Sequence, residues 1–389
     1  MILMDRIGSL ANSLQRASSA SRRSILSILI EMIRLRYSIG RMGSSEYFIY
    51  RLYENDLSFD QKKAFCGYKT QSVLEEILVD DRSKILSIDK VTMYLLLKGY
   101  GFPIPELRAI YASGLRKGPF RCIDSAEALC NYLKEPNILP IYVKPSFSAF
   151  GRGNTLVQSL INNTLELGGG SRVTLEEFCT YLETSGPFGW IFQEPLHAHS
   201  AIAKLCGTKI SGVRIHTFLS KMGPKITRAI WKINAGEKDF DNFARGTSGN
   251  MCAKIDIETG TVMRVVAGLG PAQTINPPHP VTGDELQGFR IPHWKKVIAL
   301  VLDASVAFKG YLCPGWDIAI CEDGPRILEV NYFGDVDIPQ YSYRRGFADS
   351  EFVGLMRELG LHHLMYGGSR NWQRSRGSRF GRRRAHWKW

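Results

Sequence analysis

The stretch GWDIAICEDGPRILEVN, Gly315 to Asn331, narrows what this chain can fold into more than any other. Two apolar runs flank the turn CEDGP, the pattern of two antiparallel strands joined as a hairpin. On the second strand, alternation turns Glu329 and Asn331 to one face. Asp317 lies on the first strand, twelve residues before Glu329, so closing the hairpin brings Asp317, Glu329 and Asn331 together. Carboxylates and an amide inside apolar runs are costly to bury without partners. As a set they are hard oxygen ligands suited to Mg²⁺ bridging phosphates. The alternative is a polar sheet face open to water.

With 389 residues the chain can build one large multi-lobed domain or two ordinary ones. Its 44% hydrophobic and 11% aromatic content is that of a globular protein. The eight cysteines are scattered without a C-x-x-C pair, which argues against a zinc ribbon or a disulfide framework and suits a reducing compartment. The net charge of +13 is concentrated at the end: no acid follows Glu358, and the last twenty residues hold eight Arg and Lys. Residues 367–389, rich in Arg, Gly and Ser with three tryptophans, read as a disordered basic tail that either is simply solvated or touches nucleic acid or a membrane surface.

Residues 1–85 read as an N-terminal helical region. The run SILSILIEMI, Ser24 to Ile33, is too short to span a bilayer and carries Glu31. Ile25, Leu29, Met32 and Arg36 share one face at helical spacing, as in a helix packed on the rest of the chain or in a basic helix lying on an anionic membrane. From Ser87 the texture changes to alternating strands and helices. A helix is expected from about Asp89 to Gly99, a buried strand in ILPIYVKPSF, and a helix opened by the capping box Thr174/Glu177. Further strands are expected in WIFQEPL, GVRIHTFLS, KITRAIWKI, MCAKIDIETG and VMRVVAG, and a long helix after Pro292.

Three more pieces carry chemistry. KPSFSAFGRGN, Lys144 to Asn154, sets a lysine before small residues and glycines (Ser146, Gly151, Gly153) that let backbone N–H groups approach phosphates, yet it is neither a Walker A loop nor G-x-G-x-x-G. Asp89-Lys90 opens a helix, where a lone lysine is ordinarily solvated. Gln193-Glu194 leaves a buried strand and could edge a purine or simply form a loop. His197 and His199 have no third ligand nearby and read as polar contacts rather than a zinc pair. His279 is a candidate for lining the substrate side.

Taken in order, the D-K helix with its G-x-P-x-P turn, the K-P glycine loop, the Q-E linker and D…E-x-N resemble the ATP-grasp superfamily. HPVTG, GFRIPHW, GWDIAI and RILEVN make the chain similar, more narrowly, to the sugar-transfer-associated ATP-grasp family over residues 85–350. The resemblance implies an α+β fold in which two lobes, about 86–195 and 196–350, grip ATP between antiparallel sheets, with a C-terminal helix and tail over 351–389. Lys90 and Lys144 would contact the phosphates, and Ser146–Gly153 would fold over them. Gln193 and Glu194 would hold adenine and ribose, and Arg228 and Asn242 would build the second half of the cleft. Arg214 would lie by the transferred phosphate, with Arg214, Lys144 and Glu329 as the catalytic set. Asp317, Glu329 and Asn331 would carry one or two Mg²⁺ or Mn²⁺ ions.

The implied reaction is activation of a small-molecule, sugar-linked or similar carboxylate as an acylphosphate, then capture by an amine, in cell-surface glycan or related biosynthesis. The implied location is the cytoplasm or the inner face of its membrane. Two departures stand out: Ser211-Gly212 replaces an Asn-Thr pair before Arg214, and Gly315 stands where many carboxylate–amine ligases carry an arginine. A kinase acting on a hydroxyl, or a non-catalytic nucleotide binder with a basic tail, are the alternatives.

Overall fold

The computed structural model describes residues 2–112, 118–147, 153–186, 188–236, 243, 247–308 and 310–366. Gly151, Asn242 and the basic tail therefore lie outside the described residues. The chain divides into two compact units. One comprises residues 1–78, 220–222 and the described residues from 344 onward; the other comprises 79–219 and 223–343.

The first unit is helical: Ile2–Ser21, Ile25–Arg36, Ser44–Ile49, Phe59–Lys63, Tyr68–Leu78 and Ser350–Glu358. Ser24, Ser58 and Asp349 start three of these helices, because the first N–H groups of a helix lack internal partners. Ser24 accepts from the Ser27 amide at 3.2 Å, and Ser58 and Gln61 form a reciprocal capping box. A part-buried polar network sits beside the apolar core of the unit. Glu31 accepts from Arg23 at 3.0 Å, from the Tyr47 hydroxyl at 2.6 Å and from Lys62 at 3.1 Å. Burial works against charging Glu31, and these three donors outweigh it, holding the carboxyl below its ordinary range. This network turns helix Ile25–Arg36. Its buried residues are Ile28 and Leu35, whereas Ile25 and Arg36, of the stripe read as either packed on the chain or lying on a membrane, are exposed.

The second unit holds two seven-stranded sheets. The first is built from β1 (Leu107–Tyr111), β2 (Arg121–Ile123), β3 (Ile141–Pro145), β4 (Thr155–Ile161), β5 (Thr164–Leu167), β6 (Arg172–Thr174) and β7 (Trp190–Gln193), in the order β2-β1-β7-β3-β4-β5-β6. Only its β1–β2 pair is parallel. Helices Ala126–Lys134 and Leu175–Ser185 cover one face, packing Leu129, Tyr132, Phe178 and Leu182 onto Ala109, Val143, Trp190 and Phe192. The expected Thr174 capping box is present, with 3.2 Å and 3.1 Å bonds.

The second sheet contains β8 (Val213–Ser220), β9 (Gly223–Ile233), β10 (Met251–Ile255), β11 (Val262–Ala267), β12 (Thr274–Ile275), β13 (Gly315–Cys321) and β14 (Gly324–Asn331), in the order β12-β11-β10-β9-β8-β13-β14. Strands β8, β9 and β13 are almost wholly buried, so they read as continuous apolar runs broken by single charges. The hairpin expected at CEDGP is β13–β14, with Asp317 directly opposite Glu329. The register shifts between Asp317 and Ile318, leaving Leu328 without a partner. That bulge lets Ile327 and Val330 both be buried although they are an odd number of residues apart. Among the described residues, no helix is long and apolar enough to cross a membrane.

Candidate active site

Asp317 is the centre of the site. On β13 it pairs in register with Arg214 of β8 on one side and Glu329 of β14 on the other. The Arg214 guanidinium grips it as a fork, Nε to Oδ1 at 2.5 Å and Nη2 to Oδ2 at 2.7 Å. Lys232 Nζ reaches Oδ1 at 3.2 Å from β9. Burial disfavours the Asp317 charge, but the two cations outweigh it and hold the carboxyl well below the usual carboxylate range. Arg214, also buried, is held above its ordinary value by Asp317.

Lys232 is the residue that sequence reasoning missed. A signal was there: in RAIWKI, Arg228, Ile230 and Lys232 fall on one face of a buried strand, and a lysine is seldom buried without a partner.

Glu329 and Asn331 lie beside Asp317 as expected from the hairpin. Asn331 donates from Nδ2 to the Gly315 carbonyl at 3.3 Å and stands 3.5 Å from Asp317 Oδ2. Glu329, about one-third exposed, has Lys90 Nζ 3.9 Å away. The preceding residue explains where Lys90 points. Asp89 caps helix Lys90–Gly99 through the Val91 amide at 3.2 Å and the Thr92 hydroxyl at 2.9 Å. The Lys90 amide then bonds the Ser146 carbonyl at 3.0 Å, and Asp89 bridges Phe147. The exit of β3 is thereby tied to the start of this helix, and Lys90 is 4% exposed rather than solvated.

Lys144 is buried on β3 with its ammonium 5.3 Å from the Tyr142 ring. Ser146 turns its hydroxyl toward the carbonyls of Phe188 and Gly189. Gly153 has φ +80°, and a Cβ there would sit 3.0 Å from the Pro145 ring. Gln193 is buried at the end of β7. Glu194 exchanges backbone and side-chain bonds with Glu106, at 2.9 and 3.0 Å, and its carboxylate is 3.4 Å from Arg326 of β14. Arg228 donates to the Thr227 carbonyl at 2.6 Å and lies 5.4 Å from the Tyr343 ring.

The departures acquire structural roles. Ser211 and Gly212 tie β8 to β9: the Ser211 hydroxyl accepts from the Asn234 amide at 3.0 Å, and the Gly212 carbonyl from the Lys232 amide at 2.8 Å. Gly315 leaves room for Arg214. A Cβ there would lie 3.1 Å from Arg214 Cδ and 3.1 Å from Gly334 Cα. His199 caps helix Ser200–Cys206 through Nδ1, 3.1 Å from the Ala201 amide. His279 places Nε2 3.0 Å from the Asn234 carbonyl, which can only accept and so fixes the proton on that nitrogen.

His216, fully buried on β8, faces Gly334, where a Cβ would come within 2.3 Å of its Nδ1. Burial, with Arg214 and Arg228 nearby, pushes its imidazole down to about 3. The folded ring stays neutral where an unfolded one, with a pKa of about 6.5, takes up a proton. Stability from this group is complete above about pH 6.5 and declines as pH falls toward the folded value. Thermal melts from about pH 7 down to about pH 4 should therefore drop, and His216→Gln should make that slope shallower. An unchanged slope would reject the assignment.

Residues 74–351 match the family model described as sugar-transfer associated ATP-grasp. No curated protein matches the chain. Among solved structures, N5-carboxyaminoimidazole synthase from Aspergillus clavatus, in complex with ADP and 5-aminoimidazole ribonucleotide, is 12% identical with a TM-score of 0.37, covering 73% of this chain and 58% of that one. The present chain thus spans less than two thirds of that enzyme's length. D-alanine–D-alanine ligase from Bacillus anthracis, complexed with ATP, is 12% identical with a TM-score of 0.40, covering 75% of each chain. The ATP-grasp ligase PsnB, complexed with a minimal precursor, is 13% identical with a TM-score of 0.38, covering 72% of this chain and 62% of that one. With 278 consecutive residues inside the family model, the chain belongs to the sugar-transfer associated ATP-grasp family.

Proposed function

We propose that this protein is an ATP- and Mg²⁺-dependent ligase that activates a carboxylate as an acylphosphate and joins it to an amine. The observation that carries this reading is the buried convergence of Arg214, Lys232 and Lys90 on Asp317 and Glu329. A triphosphate is a dispersed anion, and fixed cations in a water-poor site stabilise charge shifting across it. Lys90 and Lys144 hold the phosphates. Arg214 is steered by Asp317 toward the transferred group, and Gln193 and Glu194 edge the purine and ribose. Ser146 and Gly153 frame the phosphate loop, with Arg228 on the far side of the cleft.

The donor set fits a hard divalent cation. Asp317 and Glu329 would supply carboxylate oxygens from neighbouring strands, and Asn331 would supply its amide oxygen after a half-turn of the group that now directs nitrogen at Asp317. Mg²⁺ or Mn²⁺ held there would neutralise phosphate charge.

In the reaction a substrate carboxylate oxygen attacks the γ-phosphorus and ADP departs. The amine nitrogen then attacks the acyl carbon, releasing phosphate and a proton. The family's association with sugar transfer points to a carboxylate or amine carried on a glycan precursor. ATP as substrate, with eight free cysteines, fits a cytoplasmic setting. We assign the catalytic part to residues 86–350, with lobes at about 86–195 and 196–350.

The test is release of ADP and phosphate over a panel of amino acids and sugar acids paired with amines. Both products should appear only when carboxylate and amine are present. Glu329→Gln, at a half-buried position, should leave thermal stability unchanged and reduce turnover by about a hundred-fold or more. ADP formed without free phosphate would indicate a kinase instead, and turnover surviving the substitution would remove Glu329 from the site.

A further inference from the structure

Helix Ile25–Arg36 exposes a continuous apolar stripe. Leu26, Ile30, Ile33 and Tyr37 recur at spacings of four, three and four residues, which is one face of a helix, and all are at least half exposed. Elsewhere exposed large apolar side chains are more dispersed, which is ordinary for a protein surface. The opposite side of this helix is anchored: Ile28 and Leu35 are buried, and Glu31 is held by Arg23, Tyr47 and Lys62. The stripe therefore cannot turn inward without breaking that network.

The charges around the stripe define what covers it. Over residues 22–37 every exposed charge is an arginine: Arg36 along one edge of the stripe, Arg34 along the other, and Arg22 in the turn that precedes the helix. The one acid of the helix, Glu31, faces inward. Arg34 lays its guanidinium 4.0 Å from the centre of the Phe59 ring, keeping its charge at the margin of the stripe. An apolar strip edged by arginines matches a boundary between acyl chains and anionic headgroups. Twelve residues make a helix about 18 Å long, suited to lying in that plane and too short to cross it. Charge disfavours the other occupants. The C-terminal basic segment, with eight Arg and Lys and no acid in its last twenty residues, would bring like charge. A second copy of the same face would oppose arginine with arginine.

We propose that the Leu26/Ile30/Ile33/Tyr37 face docks on an anionic phospholipid bilayer, seating the protein at a membrane surface. The inference is independent of the proposed reaction.

Flotation of the full chain with mixed phosphatidylcholine–phosphatidylglycerol vesicles tests it, with pure phosphatidylcholine vesicles as the neutral comparison. The protein should float with the anionic vesicles and stay behind with the neutral ones. The triple variant Leu26→Gln/Ile30→Gln/Ile33→Gln should lower partitioning by about ten-fold or more. Arg22→Gln/Arg36→Gln should weaken the preference for anionic lipid. Both variants keep the basic C-terminal segment, so binding unchanged in both would assign the membrane contact to that segment and overturn the proposal. Failure of the wild-type chain to float would overturn it too, as would a dimer that the triple variant converts to monomer. Should circular dichroism show the triple variant unfolded, the double arginine variant decides: reduced anionic preference supports the proposal, and full retention rejects it.

Discussion

Asp317→Asn is expected to cost about 3–5 kcal/mol of stability in urea denaturation and nearly all turnover. The substitution keeps the shape of the side chain and removes only its charge. What it leaves behind is a buried Arg214 and Lys232, which now meet at a neutral amide. Two cations without a counter-charge in a water-poor interior repel each other and lack the hydration they would have outside. The sign with pH follows from the lowered carboxyl. Asp317 contributes its full stabilisation above the ordinary carboxylate pKa of about 4, and that contribution is lost as pH falls below it. The wild-type chain should therefore lose stability in acid from this group, and the variant should not. Turnover should fall by about a thousand-fold, because the fork that orients Arg214 goes together with a proposed metal ligand. Wild-type stability in the variant would mean that the ion pair is not buried as described.

Gly315→Arg is the second. The substitution is expected to be damaging. A Cβ at 315 would meet Arg214 Cδ and Gly334 Cα at 3.1 Å each, before any longer side chain is added. Arg214 already occupies that space on its way to Asp317. Overpacking of this kind costs about 1–3 kcal/mol, and here the displaced group is the one that holds Asp317. Turnover should fall about a hundred-fold or more, read from ADP release. The double exchange Arg214→Gly/Gly315→Arg relieves the collision, so its loss of stability should be smaller than the sum of the single losses. Additive losses would show that the two positions do not share one space.

These expectations depend on unequal shares of sequence and structure. The hairpin of β13 and β14 was legible because apolar runs, a turn cluster and alternation are all local, and they put Asp317 opposite Glu329. The helix start near Asp89 and the Thr174 box were legible for the same reason, whereas the burial of Lys90 was not. The face of helix Ile25–Arg36 was not. Spacing gave the stripe Ile25, Leu29, Met32 and Arg36, whereas Glu31, fixed by residues from three other segments, goes with Ile28 and Leu35 as the buried residues. The bulge at Leu328 also escaped, since a strict two-residue period cannot represent an extra residue.

By itself, then, the sequence determined β3, β7 to β11, β13 and β14, the CEDGP turn and the Thr174 cap, and which polar residues share a strand face. Only the tertiary structure decided which strands lie side by side. Arg214 is 103 residues from Asp317, and its fork exists because β8 pairs with β13. Lys232 enters because β9 lies next to β8. Alternation tells which way a side chain points; the choice of neighbour is set by long-range packing and chain closure, which leave no periodic trace in the sequence.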